Sequence, residues 1–128
     1  AATRGVDSAH ASHAAADAAR SLARDHSCAV AVSGEQDFIT DGTSDLLLSG
    51  GDPLMPRVTG MGCTATAIVG AFAAVSPTPF RAAVAGMATM KVAGELAAAQ
   101  AKGPGTFVPH FLDALHTLTP DQLATRAH

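Results

Sequence analysis

From Thr64 to Val75 the chain reads "TATAIVGAFAAV", its longest apolar stretch without a charge. Such a run is too short to span a bilayer, which takes about 20 residues. It stops at "SPTP" (Ser76–Pro79), a loop signal in water. A segment of this kind has one use: a helix packed against other protein. The remainder of the chain suits that demand. Of 128 residues, 48% are apolar and only 15% charged, so a single ordered domain with a real core is expected. Alanine is abundant, and there are five Phe with no Trp or Tyr, so helices are expected to approach closely through small side chains.

What precedes this helix is as informative. "RVTGMGC" (Arg57–Cys63) is a glycine turn with a cysteine directly behind it. Glycine lets the backbone approach a ligand closely. The first amides of a helix have no internal partner, and the helix dipole adds positive potential beside them. Together they make an anion site that suits a phosphoryl group. A helix N-terminus also lowers a thiol pKa, so Cys63 can take a proton from a hydroxyl or hold it in line for attack. A small buried residue at a tight helix start explains the same cysteine. The residues alone leave both readings open.

Around that turn the elements follow in order. Ser8–Ser27 reads as a helix with Asp7 or Ser8 as N-cap. "CAVAVSG" (Cys28–Gly34) has the profile of a buried parallel strand. Gln36–Ser49 reads as a hairpin closed by Asp41-Gly42 in a type I′ turn. Helices are expected over Cys63–Val75, Ser76–Gly103, Gly103–Leu118 and Thr119–Ala127, with Pro and Thr marking starts. The class is α/β, with one parallel strand plus a hairpin followed by a C-terminal helical cluster. So few strands make a poor sheet alone and fit the end of a larger one. The chain opens "AATRGVDS", with no methionine, which reads as part of a longer protein.

Several functions are disfavoured. With net charge −3 and no Lys/Arg cluster, neither a nucleic-acid footprint nor a polybasic membrane patch is present. Cys28 and Cys63 form no CxxC, and reduced thiols in a cytoplasmic protein are the expectation. His10 and His13 share a helix face but lack a third ligand, so no metal ligands are assigned. Glu35 and Asp37 share a strand face and fit a solvated hairpin edge better than a magnesium site. Arg57 reads as a surface residue, Cys28 as core, and Gly86 and Gly94 as points of close helix packing.

Three segments in order, "AVAVSGEQDFITDG", "PLMPRVTGMGCTATAIVGAFAAV" and "AGELAAAQAKGPGTFVPHFLDAL", together with "RGVDS", resemble the hydroxyethylthiazole kinase family of the ribokinase-like superfamily. The resemblance covers nearly the whole chain, and corresponds to the C-terminal, ATP-binding and catalytic half of such a kinase. It implies part of a three-layer α/β sandwich, usually assembled as a trimer. It also implies transfer of the ATP γ-phosphate, with Mg²⁺, to the primary alcohol of 4-methyl-5-(2-hydroxyethyl)thiazole in thiamine salvage. By the same resemblance Cys63 is the active-site cysteine and Gly60 a backbone contact to the thiazole. Gly60, Met61, Gly62 and Cys63 form the anion hole, and Ser33 stands where a threonine touches ATP. Met61 replaces a threonine common in the family, which keeps the amide and makes the pocket greasier. A related vitamin-precursor kinase, for hydroxymethylpyrimidine for example, and a non-catalytic binding or assembly half-domain are the competing readings. The half-domain would pair with the other half of the fold.

Overall fold

The computed structural model describes residues 9–128, with side-chain surroundings from residue 15. The expected N-caps Asp7 and Ser8, and the side chains of His10 and His13, lie outside the described residues. The elements are α1 (Ala9–His26), β1 (Val30–Val32), β2 (Asp37–Thr40), β3 (Asp45–Leu48), the 3₁₀ turn η1 (Met55–Arg57), α2 (Met61–Ala73), α3 (Pro79–Ala98), α4 (Pro104–Thr117) and α5 (Pro120–Arg126).

The three strands form one antiparallel sheet in sequence order. Val32 pairs with Phe38, and Phe38 in turn with Leu47. The expectation of a parallel strand at Cys28–Gly34 is therefore corrected within this sheet. Only residues 33–36 join β1 to β2, and a parallel crossover takes a dozen residues or more. The hairpin also turns differently. A type I′ turn needs positive φ at both central residues, and here Gly42 has it (φ 90°) while Asp41 does not. Instead Asp41 folds a four-residue loop around its own carboxylate, which accepts from Thr43 N–H at 2.9 Å and Ser44 N–H at 2.6 Å.

Side-chain alternation along β2 assigns the two faces of the sheet. Phe38 looks toward α1, where the Arg20 guanidinium lies 5.1 Å from its ring centre. Arg20 also bonds Asp45 at 2.7 Å and Asp17 at 2.8 Å. Ile39, fully buried, faces the other way and packs with Leu48 against Ala83, Met87 and Ala88 of α3. The result is helix, sheet, helix: a three-layer stack with α3 as its inner helix. Besides the sheet, α3 packs against α2, α4 and α5.

Small residues set the spacing of these helices, as the composition requires. A Cβ on Gly86 would stand 2.8 Å from the Val69 Cα, so α2 and α3 touch backbone to backbone there. Further along the same stripe of α3, Met90, Ala93 and Ala97 meet Phe107 and Phe111 of α4, whose rings stack with centres 5.6 Å apart. The starts of α3 and α5 follow their caps. Thr78 accepts from Arg81 N–H and Pro79 opens α3, so the helix begins three residues later than Ser76. Thr119 and Gln122 form a reciprocal capping box at α5. No helix among the described residues is long and apolar enough to cross a membrane.

Candidate functional site

The glycine turn lies at the start of α2. The helix begins at Met61, two residues earlier than Cys63, and Gly60 is its N-cap with φ 94° and ψ 0°. That left-handed conformation is what calls for glycine at 60. Thr64 N–H makes the first bond, to Gly60 C=O at 2.9 Å. The amides of Met61, Gly62 and Cys63 come before it, and no side chain caps them. The Thr64 and Thr66 hydroxyls bond backward to the Gly60 and Gly62 carbonyls at 2.9 and 3.0 Å. This leaves an open turn of free amides with the positive end of a helix behind it, roughly half an elementary charge.

Gly62 differs from Gly60. It lies inside the first helical turn, carries no positive φ, and a Cβ there would meet nothing within 4 Å. Neither backbone conformation nor packing needs a glycine. In a helix interior, glycine costs about 1 kcal/mol against alanine. What Gly62 does is line a cleft of about 190 Å³ between β1 and α2. Ser33 lines the same cleft from the end of β1, as does Thr66 of α2, over an apolar wall of Ala31, Ala65, Val69 and Met87. A larger recess, about 330 Å³, opens between α3, α4 and α5 beside His110 and Asp113. It is walled by none of the glycine-turn residues, and Gln122 there spends its carbonyl oxygen on the capping box. The smaller cleft is the one that the glycine turn reaches, through Gly62.

The structure thus brings Ser33 and Gly62 to one cavity. Cys63, the next residue, is exposed on the first turn of α2. Gly60 and Met61 are not part of the cleft wall. Met61 is turned inward, half-buried against the cluster of Met90, Ala93, Phe107 and Phe111. Its amide stays with the turn, and its side chain serves the core rather than the cleft. The expectation of a greasier pocket at Met61 is corrected accordingly.

A second correction concerns Asp37. It is not on a solvated hairpin face but 3% exposed, accepting Gly34 N–H at 2.9 Å with the Lys91 ammonium 3.4 Å away. Burial pushes its carboxyl above the ordinary value, against the Gly34 amide and the Lys91 charge, which both pull it down. Glu35 remains exposed. Magnesium bound with nucleotide phosphates calls for one or two available carboxylates. Asp37 is already committed, and among the described residues no three His, Cys, Asp or Glu side chains gather. The donors among the described residues do not by themselves fit a metal site, and no step is assigned to one.

Lys91 and Glu95, both on α3, hold the loops that follow β1 and β3. Sequence reading passed over them. The signal available was a single cation in the apolar stretch "AAVAGMATMKVAG".

Three comparisons bear on this geometry. The model of the "HK: Hydroxyethylthiazole kinase family" matches residues 1–121. A hydroxyethylthiazole kinase of Nitratidesulfovibrio vulgaris (strain DSM 19637 / Miyazaki F) is 55% identical over 98% of this chain and 47% of its own length. One from Granulibacter bethesdensis is 56% identical over 90% of this chain and 42% of its own length. Among solved structures, a hydroxyethylthiazole kinase from Pyrococcus horikoshii OT3 superposes with a TM-score of 0.86 at 33% identity, over 93% of this chain and 46% of that one. The chain spans about half the length of the relatives it matches.

Proposed function

The chain belongs to the hydroxyethylthiazole kinase family, and from that premise we propose that it is the C-terminal, ATP-binding and catalytic part of a kinase for the thiazole alcohol. The reaction is transfer of the ATP γ-phosphoryl group to the primary hydroxyl of 4-methyl-5-(2-hydroxyethyl)thiazole. The alcohol oxygen forms a bond to the γ-phosphorus as the bond to the β,γ-bridging oxygen breaks. ADP leaves, and the alcohol proton passes to the Cys63 thiolate, which becomes the neutral thiol. The amides of Met61, Gly62 and Cys63 take the charge that develops on the equatorial oxygens. Gly60 offers its backbone to the thiazole. Ser33 donates its hydroxyl to the nucleotide from across the cleft. Mg²⁺ accompanies ATP, and its protein carboxylates belong to residues outside this chain's described set.

The observation that carries this reading is Gly62. It is a helical glycine that neither fold nor packing requires, set in the wall of the cavity that Ser33 also lines. Close approach of a ligand oxygen to the free amides explains it. A cytoplasmic protein assembled as a homotrimer completes the proposal. The exposed, uncharged outer face of α2, with Ala67, Gly70 and Ala71, supports assembly against further protein.

Steady-state kinetics test it. In the full-length enzyme, Cys63→Ala should cut kcat by about 10² or more, the usual scale for a positioned acid–base group, and leave ATP affinity within about threefold. An unchanged kcat removes the cysteine from the mechanism. Phosphorylation of hydroxymethylpyrimidine in preference to the thiazole alcohol would assign the site to another vitamin precursor.

A further inference from the structure

Lys91 is a charged side chain in a place where charge is expensive. It lies midway along α3 and is 6% exposed. A buried ammonium persists only among acceptors. Nζ donates to the carbonyls of Glu35 at 3.0 Å, Gly34 at 3.1 Å and Gly50 at 3.2 Å, with the Asp37 carboxylate at 3.4 Å. The three carbonyls take up its three protons.

Those carbonyls come from two loops. Gly34 and Glu35 follow β1, and Gly50 follows β3. Both strands run antiparallel to β2, so both loops leave the same end of the sheet. One turn further along α3, Glu95 accepts Gly51 N–H at 2.9 Å. Gly50 and Gly51, at φ 102° and 86°, fold the second loop tightly over the lysine. A Cβ on Gly51 would lie 3.7 Å from Lys91 Cγ. The first loop carries Ser33. The second continues through η1 into Gly60–Cys63. One ammonium therefore ties together the two chain segments that build the cleft. Stability alone gives no reason for it, since an apolar residue of similar volume in place of a buried charge is often neutral or better.

We propose that Lys91 is a positioning residue for the nucleotide: by clamping the Gly34, Glu35 and Gly50 carbonyls it fixes the Ser33 hydroxyl relative to the glycine turn. This inference rests on the reading of Ser33 as an ATP contact. It predicts a defect in ATP binding and not in the chemical step.

The test uses the full-length enzyme with Lys91→Met, Lys91→Arg, Lys91→Ala and Ser33→Ala, ATP affinity by calorimetry, and kinetics at saturating nucleotide. Lys91→Met should weaken ATP at least tenfold, while kcat at saturating ATP and KM for the alcohol stay within about threefold. Methylammonium should restore ATP affinity to Lys91→Ala and leave Ser33→Ala unmoved. Amide hydrogen exchange should quicken at both loops together in Lys91→Met, with α3 and α4 still protected. Should Lys91→Met not fold, Lys91→Gln takes its place at the same threshold. A folded variant that binds ATP within twofold of the parent overturns the proposal, provided Ser33→Ala has lost affinity. If Ser33→Ala also binds ATP normally, the nucleotide reading of the cleft fails, and this inference fails with it.

Discussion

Helices α2 and α3 lie side by side, and their sequences invert their environments. α2 is without charge, yet none of its residues is buried. α3 carries Arg81, Lys91 and Glu95, yet a dozen of its residues are buried. Apolar composition thus does not rank burial in this chain. Position does: α3 lies between the sheet on one side and α4 on the other, whereas α2 meets the core through a single stripe, Met61, Ala65, Ile68 and Val69. Its other face, from Gly62 through Thr66 to Gly70, is open. The helix that carries the glycine turn is held along one stripe, and the helix behind it supplies the rigidity.

Four measurements sharpen or break that contrast. The largest effect belongs to the α3–α4 side. Phe107→Ala should cost about 3–5 kcal/mol in urea unfolding, the usual range for a fully buried Phe. Phe72→Ala on half-buried α2 should cost clearly less, and an equal loss would erase the distinction. Next comes the contact between the two helices. Gly86→Val should destabilise by about 1–3 kcal/mol or more, because its Cβ enters the Val69 backbone. Gly70→Ala, with nothing within 4 Å, should stabilise by about 0.5–1 kcal/mol. A loss there would mean that the open face is already covered in solution.

The smallest effect is one of pH, and it belongs to the hairpin, since α2 has no charged side chain. The Thr40 hydroxyl and then Arg20 hold Asp45 below its ordinary 3.8. Between that lowered value and 3.8 the unfolded chain binds more protons, so the contribution of Asp45 is present above 3.8 and lost as pH falls through the lowered value. Asp37 is opposite in sign. Its raised value means the folded chain keeps a proton the unfolded one releases, so stability falls as pH climbs through the window just above 3.8. Unfolding midpoints from about pH 2 to about pH 6 should show Asp45→Asn flattening the acid limb and Asp37→Asn the opposing slope.

Much of the helical half was legible because its signals are local. Thr119-Pro120 marks the start of α5 by capping chemistry that needs no tertiary partner, whereas α3 starts three residues later than the expected Ser76. Gly86 as a point of close packing was legible as a glycine inside a helical stretch, though its partner Val69 on α2 was not. The direction of β1 was not legible, because three apolar residues read alike in parallel and antiparallel pairs, and the length of the connection decides. Nor was the burial of Asp37. Its partner Lys91 stands on another element, and the lysine's loop acceptors lie 41 to 57 residues away in sequence. In the candidate site, Ser33 and Gly62 line one cleft, and their separation along the chain gave no sign of it. The inward turn of Met61 depends on a hydrophobic cluster that only the folded helices create.

The place of α3 has a consequence for biosynthesis. Translation delivers the hairpin first, and the surface that shelters Ile39, Leu46 and Leu48 comes from Pro79–Ala98. At about 5–20 residues per second, the nascent strands wait on the order of seconds with their apolar side bare. During that interval the ribosome-bound polypeptide presents a sticky, half-made sheet, and a chaperone that shields strands would find its client there.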